Sequence, residues 1–116
     1  MTHLSVVGCG NMGGALLHGL AESGDHRLVG CDIDPDARAS VADYCEPTDD
    51  LAVAAEADYV VLAIKPDSVA DLLPALDLGG DQTLISIAAG VSTDYLADLT
   101  DADIVRLMPN LNAETR

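Results

Sequence analysis

The chain has 116 residues, the length of one domain with a single hydrophobic core. Hydrophobic residues make up 49% of it, and without Phe or Trp the core must be filled by small aliphatic side chains. The 20 Asp and Glu residues outnumber the 5 Lys and Arg residues, which gives a formal net charge of −15. We expect no nucleic-acid partner, because that role needs clustered basic side chains to displace phosphate counterions.

The acidic composition also predicts a setting. The acids are spread along the chain and Lys65 is its only lysine, a composition that resembles cytosolic proteins of salt-accumulating halophiles. At about 1 M salt the Debye length falls to roughly 3 Å, so the self-repulsion of such a chain is largely screened. An ordinary acidic cytosolic protein is the alternative interpretation.

The cysteines, Cys9, Cys31 and Cys45, show no CxxC spacing and share no ligand spacing with the histidines. This pattern predicts no metal site and favours a reducing compartment. Met1 to Leu4 lack the basic region of a signal peptide, and no apolar run reaches the length of a membrane span. We therefore expect a cytoplasmic protein with no membrane partner.

Strands and helices are predicted to alternate. The first half gives a strand at Leu4–Val7, a helix from Asn11 to about Glu22, a strand at Leu28–Cys31 and a helix from Pro35 to about Tyr44. Residues 46–50 leave room for a short strand before an alanine-rich helix at Leu51–Ala57. The second half gives strands at Tyr59–Ile64, Thr83–Ile87 and Ile104–Met108, with helices from about Asp67 to Leu76 and from Ser92 to about Leu99. This alternation predicts an α/β fold with a doubly wound, mainly parallel sheet and helices on both faces.

A glycine-rich turn, Gly8–Gly13, follows the first strand and opens the first helix. In a dinucleotide site Gly8 allows the tight turn, Gly10 lets the pyrophosphate approach the backbone, and Gly13 lets the helix pack closely on the strand. The helix N-terminus attracts phosphate, and in so acidic a chain backbone N–H groups must supply most of that attraction. The turn therefore predicts a Rossmann-like dinucleotide site, with a purely structural turn as the alternative.

Asp32 follows the second strand, roughly 20 residues after the glycine turn. A carboxylate there accepts hydrogen bonds from the ribose hydroxyls and repels a 2′-phosphate, which favours NAD over NADP. Asp34 adds to this repulsion, although it is also well placed to cap the next helix. Arg38 lies one turn into that helix, where it can either reach a 2′-phosphate or pair with nearby acids.

Three later strand ends carry further candidates. Ala63–Pro66 ends the central strand with the only lysine, at the edge of the sheet where ligands bind, although Lys65 can equally be a surface residue. Ser86–Val91 consists of small residues that would admit a flat ring or serve helix–sheet packing. Met108–Asn110 offers an amide, but alone it indicates only a turn. We find no Ser-His-Asp set, no paired acids and no evident proton donor.

Together, the segments Val7–Gly13, Ala63–Pro66, Ser86–Gly90 and Val105–Asn110 resemble pyrroline-5-carboxylate reductase in their order and spacing. The resemblance implies reduction of Δ1-pyrroline-5-carboxylate to L-proline with NADH or NADPH, the hydride passing from the nicotinamide to the imine carbon. It implies a small-molecule substrate. The candidate catalytic residues are Lys65, as a charge that positions the cofactor, and Asn110, near the ring and the substrate.

The resemblance, together with the charge argument for Asp32 and Asp34, also predicts the cofactor site. The expected cofactor-binding residues are Val7, Gly8, Cys9, Gly10, Asn11, Met12, Asp32, Asp34, Ala63, Ile64, Lys65, Pro66 and Ala89. No metal ligand is expected.

The chain also departs from the family. Leu111 and Asn112 stand where the family commonly has Thr-Pro, and Asp32 and Asp34 stand where it often has neutral or basic residues. The family also has a helical domain that forms the dimer and supplies substrate-binding and proton-donating groups. We expect residues 1–116 to be the NAD(P)-binding half without that domain, inactive alone and oligomeric only when it is present. The alternatives are a stand-alone dinucleotide-binding module, or another two-domain reductase of the β-hydroxyacid dehydrogenase or coenzyme F420 type.

Overall fold

A computed structural model describes residues 2–22, 24, 26–87 and 92–106. Within this part of the chain the strands form one parallel sheet in the order β3-β2-β1-β4-β5-β6. The strands are β1 (Thr2–Val7), β2 (His26–Cys31), β3 (Glu46–Thr48), β4 (Tyr59–Leu62), β5 (Thr83–Ser86) and β6 (Asp103–Arg106). The helices are α1 (Asn11–Glu22), α2 (Pro35–Val41), α3 (Leu51–Ala54), α4 (Pro66–Leu76) and α5 (Thr93–Ala97). The predicted alternation and parallel sheet are confirmed.

Both faces of the sheet are covered by helices. Successive residues of a strand point to opposite faces, so Val6 and Val7 belong to different cores. Val6 packs in the core that includes Leu17 of α1 and Val41 of α2. Val7 packs in the core that includes Ala54 of α3, together with buried residues of α4 and α5. The inner strands β2 and β4 consequently end in continuous buried apolar runs, as is usual for a parallel sheet covered on both faces. The edge strands β3 and β6 are mostly exposed.

Several elements end earlier than predicted. α2 ends at Val41 instead of about Tyr44, because the N–H of Tyr44 bonds to the carbonyl of Val41 in a tighter turn, at 2.9 Å. The ring of Tyr44 then stacks on His18 of α1, with centroids 4.6 Å apart. α5 ends at Ala97 instead of about Leu99. β4 ends at Leu62, two residues before the prediction, where the chain turns towards α4.

α4 ends at Leu76, as predicted, and Pro74 lies inside the helix. The stop is provided by Asp77, which adopts the left-handed conformation with φ 51°. No helix among the described residues combines the length and the apolar character needed to cross a bilayer.

Candidate functional site

The strand order places a topological switch point between β1 and β4. From β1 the chain proceeds to β2 and β3 on one side, and from β4 it proceeds to β5 and β6 on the other. In doubly wound sheets a ligand binds outside the carboxyl ends of the strands at such a point. Here the two strand ends are Val7 and Leu62, which lie side by side in register. The predicted glycine turn and the Ala63–Pro66 segment therefore leave the sheet next to each other.

Two glycines are required by the packing of the turn. Gly8 has φ 101°, and a Cβ there would collide with the carbonyl oxygen of Ala63. A Cβ on Gly13 would collide with the carbonyl oxygen of Gly8 and lie 3.3 Å from the Cβ of Ala63. Gly10 is different, because a Cβ there would meet no protein atom within 4 Å. The chain itself does not need glycine at this position, so the open space above Gly10 suits the close approach of a ligand.

The start of α1 presents backbone donors to that space. The N–H of Gly14 makes the first intrahelical bond, to the carbonyl of Gly10 at 2.7 Å. The preceding N–H groups, from Gly10 to Gly13, therefore have no partner within the helix. Such a helix start carries positive partial charge and binds phosphate readily. This arrangement fits the pyrophosphate of a dinucleotide.

Asp32 lies beside the turn, at the end of β2, and its carboxylate bonds to two backbone groups. Oδ2 accepts a hydrogen bond from the N–H of Cys9 at 2.8 Å, and Oδ1 accepts one from the N–H of Asp34 at 2.9 Å. Each carboxylate oxygen has a further lone pair. Asp32 can therefore hold the turn and still accept a ribose hydroxyl.

The neighbouring charged residues are already engaged by the protein. The carboxylate of Asp34 caps α2 by accepting a hydrogen bond from the N–H of Asp36 at 2.9 Å. The guanidinium of Arg38 donates to the carbonyl oxygen of Asp32 at 2.8 Å. Asp34 thus has the predicted capping role, and its contact with a cofactor stays a prediction. Arg38 is held on the backbone at the carboxyl end of β2.

The second predicted segment follows β4. The N–H of Ala63 donates to the carbonyl of Val7 at 2.8 Å, which ties this segment to the glycine turn. Lys65 is exposed at the start of α4, where its side chain makes no capping hydrogen bond. It forms no ion pair with any residue in the described ranges. Its ammonium is therefore available to a ligand at this edge of the sheet.

A cavity of about 200 Å³ opens at the same edge. Its lining includes four residues of the predicted cofactor site, namely Val7, Gly8, Asp32 and Ile64. The other lining residues are Cys31, Ile33, Asp49, Leu51, Ser68 and Leu72. The walls are mainly apolar and carry two carboxylates, a composition suited to a nucleoside whose hydroxyl groups need acceptors.

None of these six additional residues was predicted from the sequence. Asp49 is the most informative, because it brings a second carboxylate to the cavity from the end of β3. From the sequence, residues 46–50 leave room for a short strand, and no neighbour of that strand is predicted. The N–H of Asp32 donates to the carbonyl of Thr48 at 3.0 Å, so β3 extends the sheet directly beside β2. The strand order of doubly wound sheets was the available clue.

Cys9 and Cys31 are buried, and Cys45 is partly buried. Burial, with a smaller contribution from the charge of Asp32, raises the pKa of Cys9 to about 12 and that of Cys31 to about 11. The Sγ atoms of Cys9 and Cys45 pack against Gly30, whose Cβ would lie 3.1 and 2.8 Å from them. Cys9 can therefore face a cofactor only through its backbone. Across the described residues, no three His, Cys, Asp or Glu side chains are grouped as metal ligands.

Four of the predicted residues are described only by their backbones or lie outside the described residues. Ala89 and Asn110 lie outside the described residues, as do most of the Ser86–Gly90 and Val105–Asn110 segments. Asn11 and Pro66 are placed by their backbones as the first residues of α1 and α4. Their assigned roles stay predictions.

Known proteins resemble this chain over nearly its whole length. It is 36% identical to the pyrroline-5-carboxylate reductase of Haemophilus influenzae, over 95% of this chain and 44% of that protein. It is 35% identical to the Escherichia coli protein of the same name, over 95% of this chain and 45% of that protein. The chain thus spans less than half the length of these relatives.

The structural comparison agrees. The 1-pyrroline-5-carboxylate reductase from Streptococcus pyogenes superposes with a TM-score of 0.80 at 28% identity, covering 98% of this chain and 45% of that one. An imine reductase from a Pseudomonas species has a TM-score of 0.75 at 18% identity, covering 90% and 40%, and shares the fold. The resemblance to pyrroline-5-carboxylate reductase drawn from the motifs is confirmed. Residues 3–90 match the family described as "NADP oxidoreductase coenzyme F420-dependent", and the chain belongs to that family.

Proposed function

We propose that the chain is the cofactor-binding half of an enzyme that reduces Δ1-pyrroline-5-carboxylate to L-proline with NADH or NADPH. The observation that carries this proposal is the open start of α1, above Gly10, beside Asp32 at the switch point of the sheet. The substrate is inferred from the motif resemblance and from the names of the relatives. A nicotinamide dinucleotide bound there supplies a hydride for the imine carbon.

The residues of this chain would bind and orient the dinucleotide. The N–H groups from Gly10 to Gly13 would hold the pyrophosphate, and Asp32 would accept a hydrogen bond from the adenosine ribose. Lys65 would contribute a positive charge that attracts the phosphate groups, at an edge of the sheet that carries mainly acidic side chains. Ala89 and Asn110 are assigned to the nicotinamide end by the motif resemblance alone.

A titration tests binding with two matched variants. Gly10→Ala places a methyl group in the open space where no protein atom lies within 4 Å, so it should fold normally and obstruct the phosphate. Gly19→Ala is the control, because a Cβ there also meets nothing and lies further along the same helix. We expect NADH to bind to the parent chain and Gly19→Ala alike in molar KCl, and about tenfold or more weakly to Gly10→Ala, a loss of about 1.4 kcal/mol. Equal affinity of all three proteins would contradict the site.

We further propose a preference for NAD over NADP. Asp32 and Asp49 both line the cavity, and a 2′-phosphate beside the ribose would meet their negative charges. Arg38 offers little compensation while its guanidinium bonds to the Asp32 carbonyl. The family description names NADP, so the preference needs a direct test.

Parallel titrations with NADH and NADPH supply that test. NADH should bind more tightly to the parent chain. Asp49→Asn removes one charge from the cavity but keeps a polar side chain, so it should narrow the preference by about two- to fivefold, consistent with a partly screened charge pair. Tighter binding of NADPH than of NADH by the parent chain would overturn the proposal.

The reaction itself is proposed to need the helical domain expected from the motif resemblance. This chain spans about 44% of the first relative's length. The motif resemblance implies that the proton donor and the dimer contacts belong to the helical domain. We expect the 116-residue chain to bind NADH but to turn over little or no pyrroline-5-carboxylate. Turnover typical of a complete reductase, measured by NADH absorbance in molar salt, would contradict this division of labour.

A second candidate function follows from the family match over residues 3–90, whose description names coenzyme F420. Hydride transfer between NADP and coenzyme F420 would use the same glycine turn. Assaying the gene's full product with F420 and with pyrroline-5-carboxylate separates the two reactions. Activity with F420 alone would favour this second function.

We also propose a salt-rich cytoplasm as the working environment. The net charge of −15 and the three free thiols support it. Denaturant midpoints should rise steeply between about 0.1 and 2 M KCl as repulsion between acids is screened. A flat salt dependence would favour an ordinary acidic protein.

A further inference from the structure

We propose that Asp32 is a positioning residue for the glycine turn as well as a partner for the ribose. Its carboxylate would fix the peptide unit between Gly8 and Cys9 in the orientation that leaves the phosphate position clear. This inference rests on the proposed dinucleotide function and deepens it. It differs from ribose recognition because it acts on the backbone of the turn, with or without a ligand.

The contact joins two segments that are distant in the sequence. The Oδ2 atom of Asp32 accepts from the N–H of Cys9 at 2.8 Å, across 23 residues and in a partly buried position. The Oδ1 atom accepts from the N–H of Asp34 at 2.9 Å. With one oxygen engaged on each side, rotation of the carboxylate would break both bonds.

The backbone of Asp32 is itself held in place. Its N–H donates to the carbonyl of Thr48 at the end of β3, at 3.0 Å. Its carbonyl accepts from the guanidinium of Arg38 in α2, at 2.8 Å. The carboxylate therefore projects from a fixed point, which is the condition for a preorganised contact.

The consequence for the turn follows from the geometry of a trans peptide, in which the N–H and the preceding carbonyl point in opposite directions. The Cys9 N–H points at Asp32, so the Gly8 carbonyl points the other way, against Gly13. A flip of this peptide would reverse both groups and change the surface that the turn presents to a phosphate. Gly8, as a glycine, has the conformational freedom for such a flip. Asp32 would oppose it.

The test uses two ligands that differ only at the ribose: ADP and its 2′,3′-dideoxy analogue. Calorimetric titration of the full chain in molar KCl compares the parent with Asp32→Ala, Asp32→Asn and Asp36→Ala. Asp36 is an exposed acid in the first turn of α2, so its removal matches the loss of charge without touching the turn. Asp32→Asn keeps one acceptor and guards against an unfolded alanine variant.

We expect Asp32→Ala to weaken both ligands by about tenfold or more, as a lost charge-assisted hydrogen bond predicts. The affinities of Asp32→Asn should lie between those of Asp32→Ala and the parent, and the affinities of Asp36→Ala should stay within about twofold of the parent. If Asp32→Ala weakens ADP but leaves the dideoxy analogue unchanged, Asp32 acts through the ribose hydroxyls alone and the inference is wrong.

A ligand-free measurement keeps the inference separate from the proposed function. Hydrogen exchange at the Cys9 amide should accelerate about tenfold or more in Asp32→Ala, while the amide of Val61 in β4 keeps its parent rate. Unchanged exchange at Cys9 would refute the positioning role. A parent chain that binds neither ADP nor NADH would refute dinucleotide binding, and the exchange rates would still decide the conformation of the turn.

Discussion

At each edge of the parallel sheet, one side chain bonds to backbone groups of several segments, but the two arrangements have different consequences. At the carboxyl edge, Asp32 ties the loops after β1, β2 and β3 together around a cavity. At the amino edge, Gln82 ties the loops before β4 and β5 together. Its Nε2 atom donates to the carbonyls of Ala55 and Ala57, at 2.6 and 2.8 Å, and its Oε1 atom accepts from the N–H of Gly79 at 2.8 Å.

The difference lies in what the side chains leave open. Gln82 uses its amide to close a junction, so its bonds contribute to stability. Asp32 holds a turn whose next residue, Gly10, faces open space. We therefore expect changes at the carboxyl edge to alter ligand binding and changes at the amino edge to alter the free energy of unfolding alone.

The largest effect is expected for Gly13→Ala, which should reduce both stability and ligand binding. The new Cβ would collide with the Gly8 carbonyl, so α1 must move away from β1. The free energy of unfolding should fall by about 3 kcal/mol or more, and NADH binding should be lost. Urea denaturation and an NADH titration measure the two effects.

Gly14→Ala is the matched control for that prediction. Its Cβ would make ordinary contacts, 3.6 Å from the Cys9 carbonyl oxygen and from Cγ1 of Val41. Alanine is also the better helix former, by about 1 kcal/mol. Gly14→Ala should therefore be as stable as the parent or slightly more so. Equal stability of Gly13→Ala and Gly14→Ala would show that α1 can adjust without cost.

Gln82→Ala should separate the edges most clearly. It removes three hydrogen bonds, so we expect a loss of about 2–3 kcal/mol in the free energy of unfolding at roughly 1 kcal/mol each. NADH affinity, measured well below the unfolding transition, should match that of the parent. Asp81→Ala, at the exposed neighbouring residue, should change stability by less than about 0.5 kcal/mol. Weaker NADH binding by Gln82→Ala would contradict the separation.

The thiol of Cys31 makes the stability of the carboxyl edge depend on pH. Burial, followed by the charge of Asp32, raises the pKa of Cys31 from 9.0 to about 11. Between these values the unfolded chain loses the proton while the folded chain keeps it. The stabilisation of the folded state that results from this pKa difference is therefore complete below about pH 9 and is lost as the pH rises towards 11.

Urea midpoints measured between about pH 8.5 and 10.5 should therefore fall. The free energy of unfolding of Cys31→Ala should fall less steeply over the same range. The slopes of parent and variant should differ by up to about 1.4 kcal/mol per pH unit. The variant controls for other groups that titrate there. Parallel slopes for parent and variant would argue against a shifted thiol.

The smallest effect is expected for Arg27→Ala at the amino edge. Arg27 and Glu46 approach to 3.4 Å between Nη2 and Oε2, and both side chains are largely exposed, at 46% and 62%. The loss should be below about 1 kcal/mol at low salt and close to zero in molar KCl. A loss that persists in molar KCl would indicate packing by the arginine stem.

Much of the fold could be predicted because its determinants are local. α1 was predicted with its observed bounds, since Gly8–Gly13 fixes its start and Gly24, with φ 84°, follows its end. The bounds of shorter elements differ from the predicted ones. The end of α2 depends on a tight turn that stacks Tyr44 on His18, and the periodicity of side chains along a helix does not predict that contact.

The candidate site divides in the same way. The predicted Val7, Gly8, Asp32 and Ile64 all line the cavity, because strand ends in a parallel sheet meet at one edge. Asp49 was missed, since its position depends on where a three-residue strand pairs. The contact between Asp32 and Cys9 was not predicted, because the spacing after the glycine turn indicates only the ribose as a partner for that carboxylate.

The sequence by itself determined the alternation of strands and helices, the glycine turn and the acid after the second strand. These features follow from side-chain periodicity and from the sterics of glycine, which act over a few residues. Only the tertiary structure decided that β3 lies beside β2, that Asp49 shares the cavity with Asp32, and that the Asp32 carboxylate holds the Cys9 amide. Such contacts join residues far apart in the chain, and the packing of the two cores on the sheet brings them together.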